Sequence, residues 1–386
     1  DDFYFGYCNE GLWPLAHNLV SKVRFEQAQW RSYVRVNRKF ARAVLEEAQD
    51  GDVVWVHDYH LTLAPEMIKK EKPGVTVVFF WHIPWPQHDV FHICPDYKRI
   101  LRGLLACDML GFHIDRYCNN FNECVDRAFS DKQRARTNTP DVRSFPISID
   151  VQDIERVATS KRVKKRVAQL HKKYHLKDKL IGTGVERLDY TKGIPERFEA
   201  LEILFENYPE LHGRFTMLQL CSPSRTEIEE YKSIKRRVVE ITERINGKYA
   251  TADWTPLVVF HRKVPFEHIL AMYRMAHVGI VSPLVDGMNL VAKEFIAGQV
   301  DRRGVLVLSE FAGAAGSLEN VIFCNPFERD SFADRIKQAL DMPADERRAM
   351  IKAARKEVRG YTVFDWVNLF LKTATEIADR QPGRRD

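Results

Sequence analysis

The sequence holds no run of about 18 apolar residues, the length a membrane-spanning helix needs. No charged-then-apolar leader opens it either, so neither a membrane span nor a signal peptide is expected. Cysteine is sparse: seven residues, an odd number, with no Cys-x-x-Cys spacing. That excludes a disulfide framework and a structural zinc site and fits a reducing cytoplasm. None of the 13 histidines sits in a His-Glu-x-x-His pattern, and no Asp-x-Asp ligand pair is recognised, so no metal and no other cofactor is expected. Internal repeats and low-complexity tracts are missing as well, which removes solenoids. Neither sign of charge dominates: 59 basic and 53 acidic residues leave a formal +6, with the signs interspersed. The balance suits a compact anionic substrate better than nucleic acid. The basic runs Lys161-Arg162-Val163-Lys164-Lys165-Arg166 and Lys235-Arg236-Arg237 fit solvated helix faces.

What is present, over 386 residues, is an alternation of short β-branched apolar runs with helical patterns, the mark of parallel sheets flanked by helices. Strands are expected at Val53–Val56, Val75–Phe80, Met109–Phe112 and Ser144–Ile149, then at Leu180–Gly184, Phe215–Leu220, Leu257–Phe260, Val278–Val281, Val305–Leu308 and Val321–Cys324. Helices are expected near Asn37–Gln49, Leu61–Lys70, Tyr97–Ala106, Arg116–Phe129, Pro195–Glu206, Arg225–Arg244, Pro265–Met275, Leu290–Ala297 and Phe332–Leu340. The length suits two domains. The fold class is therefore α/β, two Rossmann-like doubly wound domains facing a cleft. Residues 1–147 form the first and 148–359 the second, with the seam at Phe145-Pro146-Ile147-Ser148-Ile149-Asp150, after a polar loop from Lys132 to Val142. The last helix, in residues 360–386, packs back on the first domain or caps the second.

Four motifs fall where such sheets bind ligands, at strand carboxyl ends. Ser282 to Glu294 runs from a strand through a glycine turn into a helix start. The amides of Asn289, Leu290 and Val291 there can receive a phosphate, and Glu294, about one turn on, can accept from sugar hydroxyls. Asp286 stands across the turn. Arg187 and Lys192, in Arg187-Leu188-Asp189-Tyr190-Thr191-Lys192-Gly193, read as a diphosphate clamp. Asp58 in His57-Asp58-Tyr59-His60 can orient or deprotonate a hydroxyl, and His82 in His82-Ile83-Pro84 can donate to a sugar or to developing charge. Satisfying loop amides is the plainer role for both. Tyr4 and Trp13 can form an aromatic platform for a sugar, or simply core. Arg225 can bind a phosphate, or simply water.

In order along the chain, Tyr4, Leu12-Trp13-Pro14, His57-Asp58-Tyr59-His60, His82-Ile83-Pro84, Gly111-Phe112, Arg187 to Gly193, Ser224-Arg225, Ile245-Asn246-Gly247-Lys248 and Asp286 to Glu294 resemble the trehalose-6-phosphate synthases, retaining glycosyltransferases of the GT-B fold. The resemblance implies transfer of glucose from UDP-glucose, or another nucleotide-glucose, to glucose 6-phosphate. It places Arg187, Lys192 and the amides of Asn289, Leu290 and Val291 on the donor diphosphate and Glu294 on the ribose. Asp286, Gly287, Met288 and His82 would surround the donor glucose, while Tyr4, Trp13, Asp58 and Arg225 would hold the acceptor. Retention would follow the family's front-face route, with the leaving phosphate helping to deprotonate the acceptor. No carboxylate pair at glycosidase spacing competes with that route.

Two departures accompany the resemblance. The family opens earlier, with a basic residue and a glycine-rich loop, so the natural chain is expected to begin before Asp1. Ser148 also stands where the linker usually has glycine. Glucosylglycerol-phosphate synthase, a nitrogen-linking pseudo-glycosyltransferase and a catalytically silent regulatory subunit are the competing readings. A homo-oligomer is left open.

Overall fold

The computed structural model describes residues 1–134, 139–224 and 228–380. The chain divides into two compact units: residues 1–147 together with the chain from Phe364 onward, and Ser148–Val363. The first contains a parallel sheet in the order β1-β2-β3-β4 (Val53–His57, Thr76–Phe80, Met109–Phe112, Asp141–Ser144). β2 reads Thr-Val-Val-Phe-Phe and is buried at every position, as a strand must be when helices cover both faces. Part of that cover is the helix Val363–Ala378. Its Phe370 ring stacks on Trp55 at 4.3 Å, and Trp366 Nε1 donates to the Phe145 carbonyl at 3.1 Å.

The second unit carries six parallel strands in the order β10-β9-β8-β5-β6-β7. These are β5 (Leu180–Arg187), β6 (Phe215–Ser222), β7 (Leu257–Phe260), β8 (Val278–Val281), β9 (Val305–Ser309) and β10 (Ile322–Cys324). Winding runs outward from β5 through β6 and β7, then returns to β8 on the other side of β5, pairing Gly182 with Val278. This is the strand order of a dinucleotide-binding sheet, and the crevice where the winding reverses lies between β5 and β8. Among the described residues no helix is long and apolar enough to cross a membrane.

The structure departs from the sequence reading at several elements. The strand expected at Ser144–Ile149 lies earlier, at Asp141–Ser144. The Phe145 amide makes a further bond, to Phe112, and then Pro146 has no N–H to continue. The helix expected from Asn37 begins at Gln27, its first turns burying Gln29, Ser32 and Tyr33 rather than an aliphatic stripe. The helix Ala344–Gly360 was not anticipated, because only Ile351, Ala354, Arg355 and Val358 face inward from a highly charged run. Part of the polar loop from Lys132 to Val142, and the start of the helix expected from Arg225, lie outside the described residues.

Candidate active site

The turn after β5 is built by a buried carboxylate. Asp189, fully buried, accepts from the Thr191 amide and hydroxyl at 3.0 Å each and from the Tyr231 hydroxyl at 2.9 Å. The tight turn Tyr190–Lys192 that results carries Lys192 toward the loop after β8. There Lys192 Nζ meets Asp286 Oδ2 at 2.6 Å, and the Asn289 side-chain amide donates to the same oxygen at 2.9 Å. The reversal of the sheet is thus bridged by one ion pair, both members mostly shielded from solvent. Gly193 closes the turn at φ +61, where a Cβ would stand 2.0 Å from the Ser282 carbonyl, so no larger residue fits.

Residues 286 to 291 are shaped by a third loop. The Gly313 and Ala314 amides donate to the Asp286 and Met288 carbonyls at 3.1 and 2.7 Å, and Asp286 N donates to Phe311. The positive φ of this turn falls on Asn289 (φ 74). Asparagine tolerates that conformation, and its Oδ1 accepts from Ala292 N, capping the helix Leu290–Gly298. The amides of Asn289, Leu290 and Val291 find no hydrogen-bond partner among the described residues. They therefore remain available at the positive end of the helix dipole. Glu294, half-buried one turn on, has its carboxyl raised above the ordinary range by burial and receives only a long bond, 3.4 Å, from Tyr273. Arg187 ends β5 on the exposed surface, beside the Ser222 position of β6.

Beneath this turn lies a charged network that the sequence did not betray. Arg197 is 0% exposed and Glu186 2% at the side chain, and they pair through two bonds of 2.7 and 3.0 Å. The same guanidinium donates to Ser282 Oγ at 3.0 and 3.1 Å and to Gln219 Oε1 at 2.7 Å. Ser282 Oγ donates on to the Gly193 carbonyl. The ends of β5, β6 and β8 are thereby tied to one cation, and the loops bearing Lys192 and Asp286 are fixed from below.

In the first unit the structure gathers His82 and Asp58 at the ends of β1 and β2. Asp58 has φ 67, a strained value for a residue with a Cβ. Its Oδ1 accepts from the amides of Tyr59 at 3.0 Å and His82 at 3.2 Å, so satisfying loop amides is at least part of its work. His82 Nε2 lies 3.0 Å from His57 Nδ1, and His113 Nε2 donates to the His82 carbonyl at 3.1 Å. The sequence assigned no role to His57, though it lies in the motif with Asp58, and did not point to His113. Tyr4 is 43% exposed and stacks on His60, whereas Trp13 is only 6% exposed and packs against His17 at 4.3 Å. Trp13 therefore offers at most an edge, in line with the core alternative that the sequence left open. Tyr59 joins the group, donating to Asn9 at 3.0 Å, and Asn9 in turn donates to the Tyr4 carbonyl. Arg225 lies outside the described residues.

Burial, reinforced by His113 and His57, holds the His82 imidazole down to about 3. It is neutral at neutral pH and carries a single N–H; its Nε2 is bonded to His57 Nδ1, and its own Nδ1 is left for a ligand. Burial also lowers His57, and brings His268 and His277 each to about 4. Below the ordinary imidazole value of about 6.5 the unfolded chain takes up protons that the folded chain refuses, so stability present above 6.5 drains away as pH falls. The urea midpoint is expected to decline between pH 6.5 and 5, before most carboxylates titrate. A midpoint unchanged across that window would contradict the exclusion of protons from these rings.

Among the described residues no group of three His, Cys, Asp or Glu side chains is arranged to hold a metal ion. The chain does contain an Asp-x-Asp pair, Asp50-Gly51-Asp52, but it precedes β1, and Asp52 there accepts from the Gln49 amide.

The model of glycosyltransferase family 20 matches residues 1–376. A UDP-forming α,α-trehalose-phosphate synthase of Aspergillus niger is 38% identical over 98% of this chain and 75% of its own length. Among solved structures, the UDP-forming α,α-trehalose-phosphate synthase of Burkholderia xenovorans in complex with glucose 6-phosphate superposes with a TM-score of 0.92 at 32% identity, covering 97% of this chain and 84% of that one. The E. coli trehalose-6-phosphate structure bound with UDP-2-fluoro glucose gives 0.92 at 34% identity, over 97% of this chain and 84% of that one. The two parallel sheets with their helices are the GT-B type of α/β architecture, and the chain belongs to glycosyltransferase family 20.

Proposed function

We propose that this protein is a UDP-forming α,α-trehalose-phosphate synthase, a retaining hexosyltransferase that moves glucose from UDP-glucose to glucose 6-phosphate. The observation that carries the reading is the Lys192–Asp286 pair at the reversal of the second sheet, beside three unpartnered amides at a helix start. A nucleoside diphosphate is the ligand such a crevice fits.

In this reading Arg187, Lys192 and the amides of Asn289, Leu290 and Val291 take the diphosphate, and Glu294 takes the ribose hydroxyls. Asp286, Gly287, Met288 and His82 meet the donor glucose. Tyr4, Asp58, Arg225 and the edge of Trp13 hold the acceptor. The bond from glucose C1 to the β-phosphate oxygen breaks and the bond from C1 to the acceptor O1 forms on the same face. The acceptor's hydroxyl proton passes to the departing phosphate. With Nε2 accepting from His57, neutral His82 keeps its one N–H, on Nδ1, for the sugar and acts there as a hydrogen-bond donor rather than as a general acid. Seven cysteines, all buried thiols, favour a reducing cytoplasm.

Release of UDP in the presence of glucose 6-phosphate, with formation of a non-reducing disaccharide phosphate, tests the assignment. Donor binding without turnover would sink it in favour of a silent regulatory role. Because two cationic side chains and a helix start stabilise the leaving diphosphate in this reading, turnover is expected to persist after exhaustive treatment with EDTA. A loss on chelation that magnesium restores would overturn the metal-free version.

A further inference from the structure

A cavity of about 580 Å³ opens in the second unit at the amino ends of β8 and β9, the end of those strands opposite to the Lys192–Asp286 pair. Its wall is cationic, with Arg274, Arg302, Arg303, Arg347 and Arg348 around His277. The one carboxylate lining it, Asp301, is taken by Arg274 through bonds of 2.5 and 3.0 Å. Arg348 pairs outward with Asp345 at 3.1 Å. Arg302, Arg303 and Arg347 have no carboxylate partner among the described residues. Arg347 gives Nη2 to the Met342 carbonyl at 3.2 Å, while its Nη1 is buried with no hydrogen-bond partner.

The surroundings hold these groups in place. Arg302 sits at φ 54, and the amides of Arg303 and Gly304 both donate to Gln299 Oε1, at 3.1 and 2.9 Å. Ala344, also in the wall, begins the helix Ala344–Gly360, whose first amides add positive potential. The Ile181 amide donates to His277 Nδ1 at 3.0 Å, so the imidazole is neutral and presents Nε2–H as a further donor. The buried Arg347 Nη1 without a partner costs free energy that an acceptor would recover, and the exposed guanidinium groups of Arg302 and Arg303 beside it, with no carboxylate of their own, draw an anion to that place. Planar guanidinium forks match phosphate oxygens, and the volume exceeds what a single inorganic phosphate occupies.

We propose that this arginine-lined cavity is a second anion site, binding a phosphate ester or polyphosphate independently of the diphosphate crevice. The two sites lie near opposite ends of the helix Leu290–Gly298, which starts at Asn289 and leads through Gln299 into the Asp301–Arg303 loop.

The test is titration calorimetry at about 50 mM salt, where surface screening is modest, on the intact protein saturated with UDP to block the crevice. Inorganic tripolyphosphate and ribose 5-phosphate serve as probes, and whichever binds more tightly assigns the class. At least one is expected to bind, and Arg303→Gln, a change at an exposed side chain, is expected to weaken it tenfold or more while UDP affinity stays unchanged. Arg347→Lys, which keeps the charge but removes the fork, is expected to weaken it as well. No binding of either probe to the UDP-saturated protein, or equal affinity in Arg303→Gln and the parent, would overturn the proposal. Neither outcome bears on the diphosphate crevice, which UDP binding reports separately.

Discussion

Arg197→Met is expected to destabilise the second unit by about 3–5 kcal/mol, the usual consequence of stranding one member of a buried ion pair. The cause is local. Glu186 would keep a carboxylate 2% exposed at the side chain, with only Gln219 Nε2 left to donate to it. Ser282 Oγ and Gln219 Oε1 would lose the same partner. Chemical denaturation followed by tryptophan fluorescence reads the loss, since Trp254 reports this unit and donates to the Phe215 carbonyl at the start of β6. The companion variant Arg197→Met/Glu186→Gln removes both charges and should recover much of the stability, because burying an ion pair costs desolvation that two neutral groups avoid. If the single variant were as stable as the parent, the network would be incidental. If the double variant were no better than the single, packing rather than charge would be the source.

That network marks the boundary of what the sequence could tell. Loops at strand ends were legible because their composition changes abruptly from β-branched residues to Gly, Pro, Asp and Asn, and because a helix pattern resumes at a fixed distance. Hence Lys192, Asp286 and Asn289 were picked out as strand-end residues, and the structure brings Asp286 against both of the others. Arg197 was invisible for a different reason. In a chain with 29% charged residues, one arginine on an amphipathic helix looks like any other. Its partner Ser282 lies 85 positions away. The grouping of His57, His82 and His113 has the same origin, since it appears only once three adjacent parallel strands bring their ends into line. Trp13 shows a third case: the sequence left platform and core both open, and only the packing of His17 and Tyr59 on the ring shows how little of it is exposed.

The reading of the reversal crevice as a diphosphate site predicts that Lys192→Ala and Arg187→Ala each lower kcat by about 10²- to 10³-fold, the range for removing one preorganised donor to developing charge. For Lys192 a purely structural explanation competes, because its ammonium also holds Asp286 at 2.6 Å. A double-mutant cycle separates the two. If Lys192 acts only by placing Asp286, then Lys192→Ala/Asp286→Asn should be no slower than Asp286→Asn alone. If it acts on the leaving diphosphate, the double variant should fall well below Asp286→Asn, and Lys192→Arg should recover part of the rate by restoring the charge. An ammonium has three donors, and one bond to Asp286 leaves two for phosphate oxygens, so the second outcome is the one expected. Arg187 takes no part in that pair, and its alanine variant supplies the independent check. Wild-type turnover in Arg187→Ala would mean that the diphosphate does not lie at the end of β5, and the assignment of the crevice would fail with it.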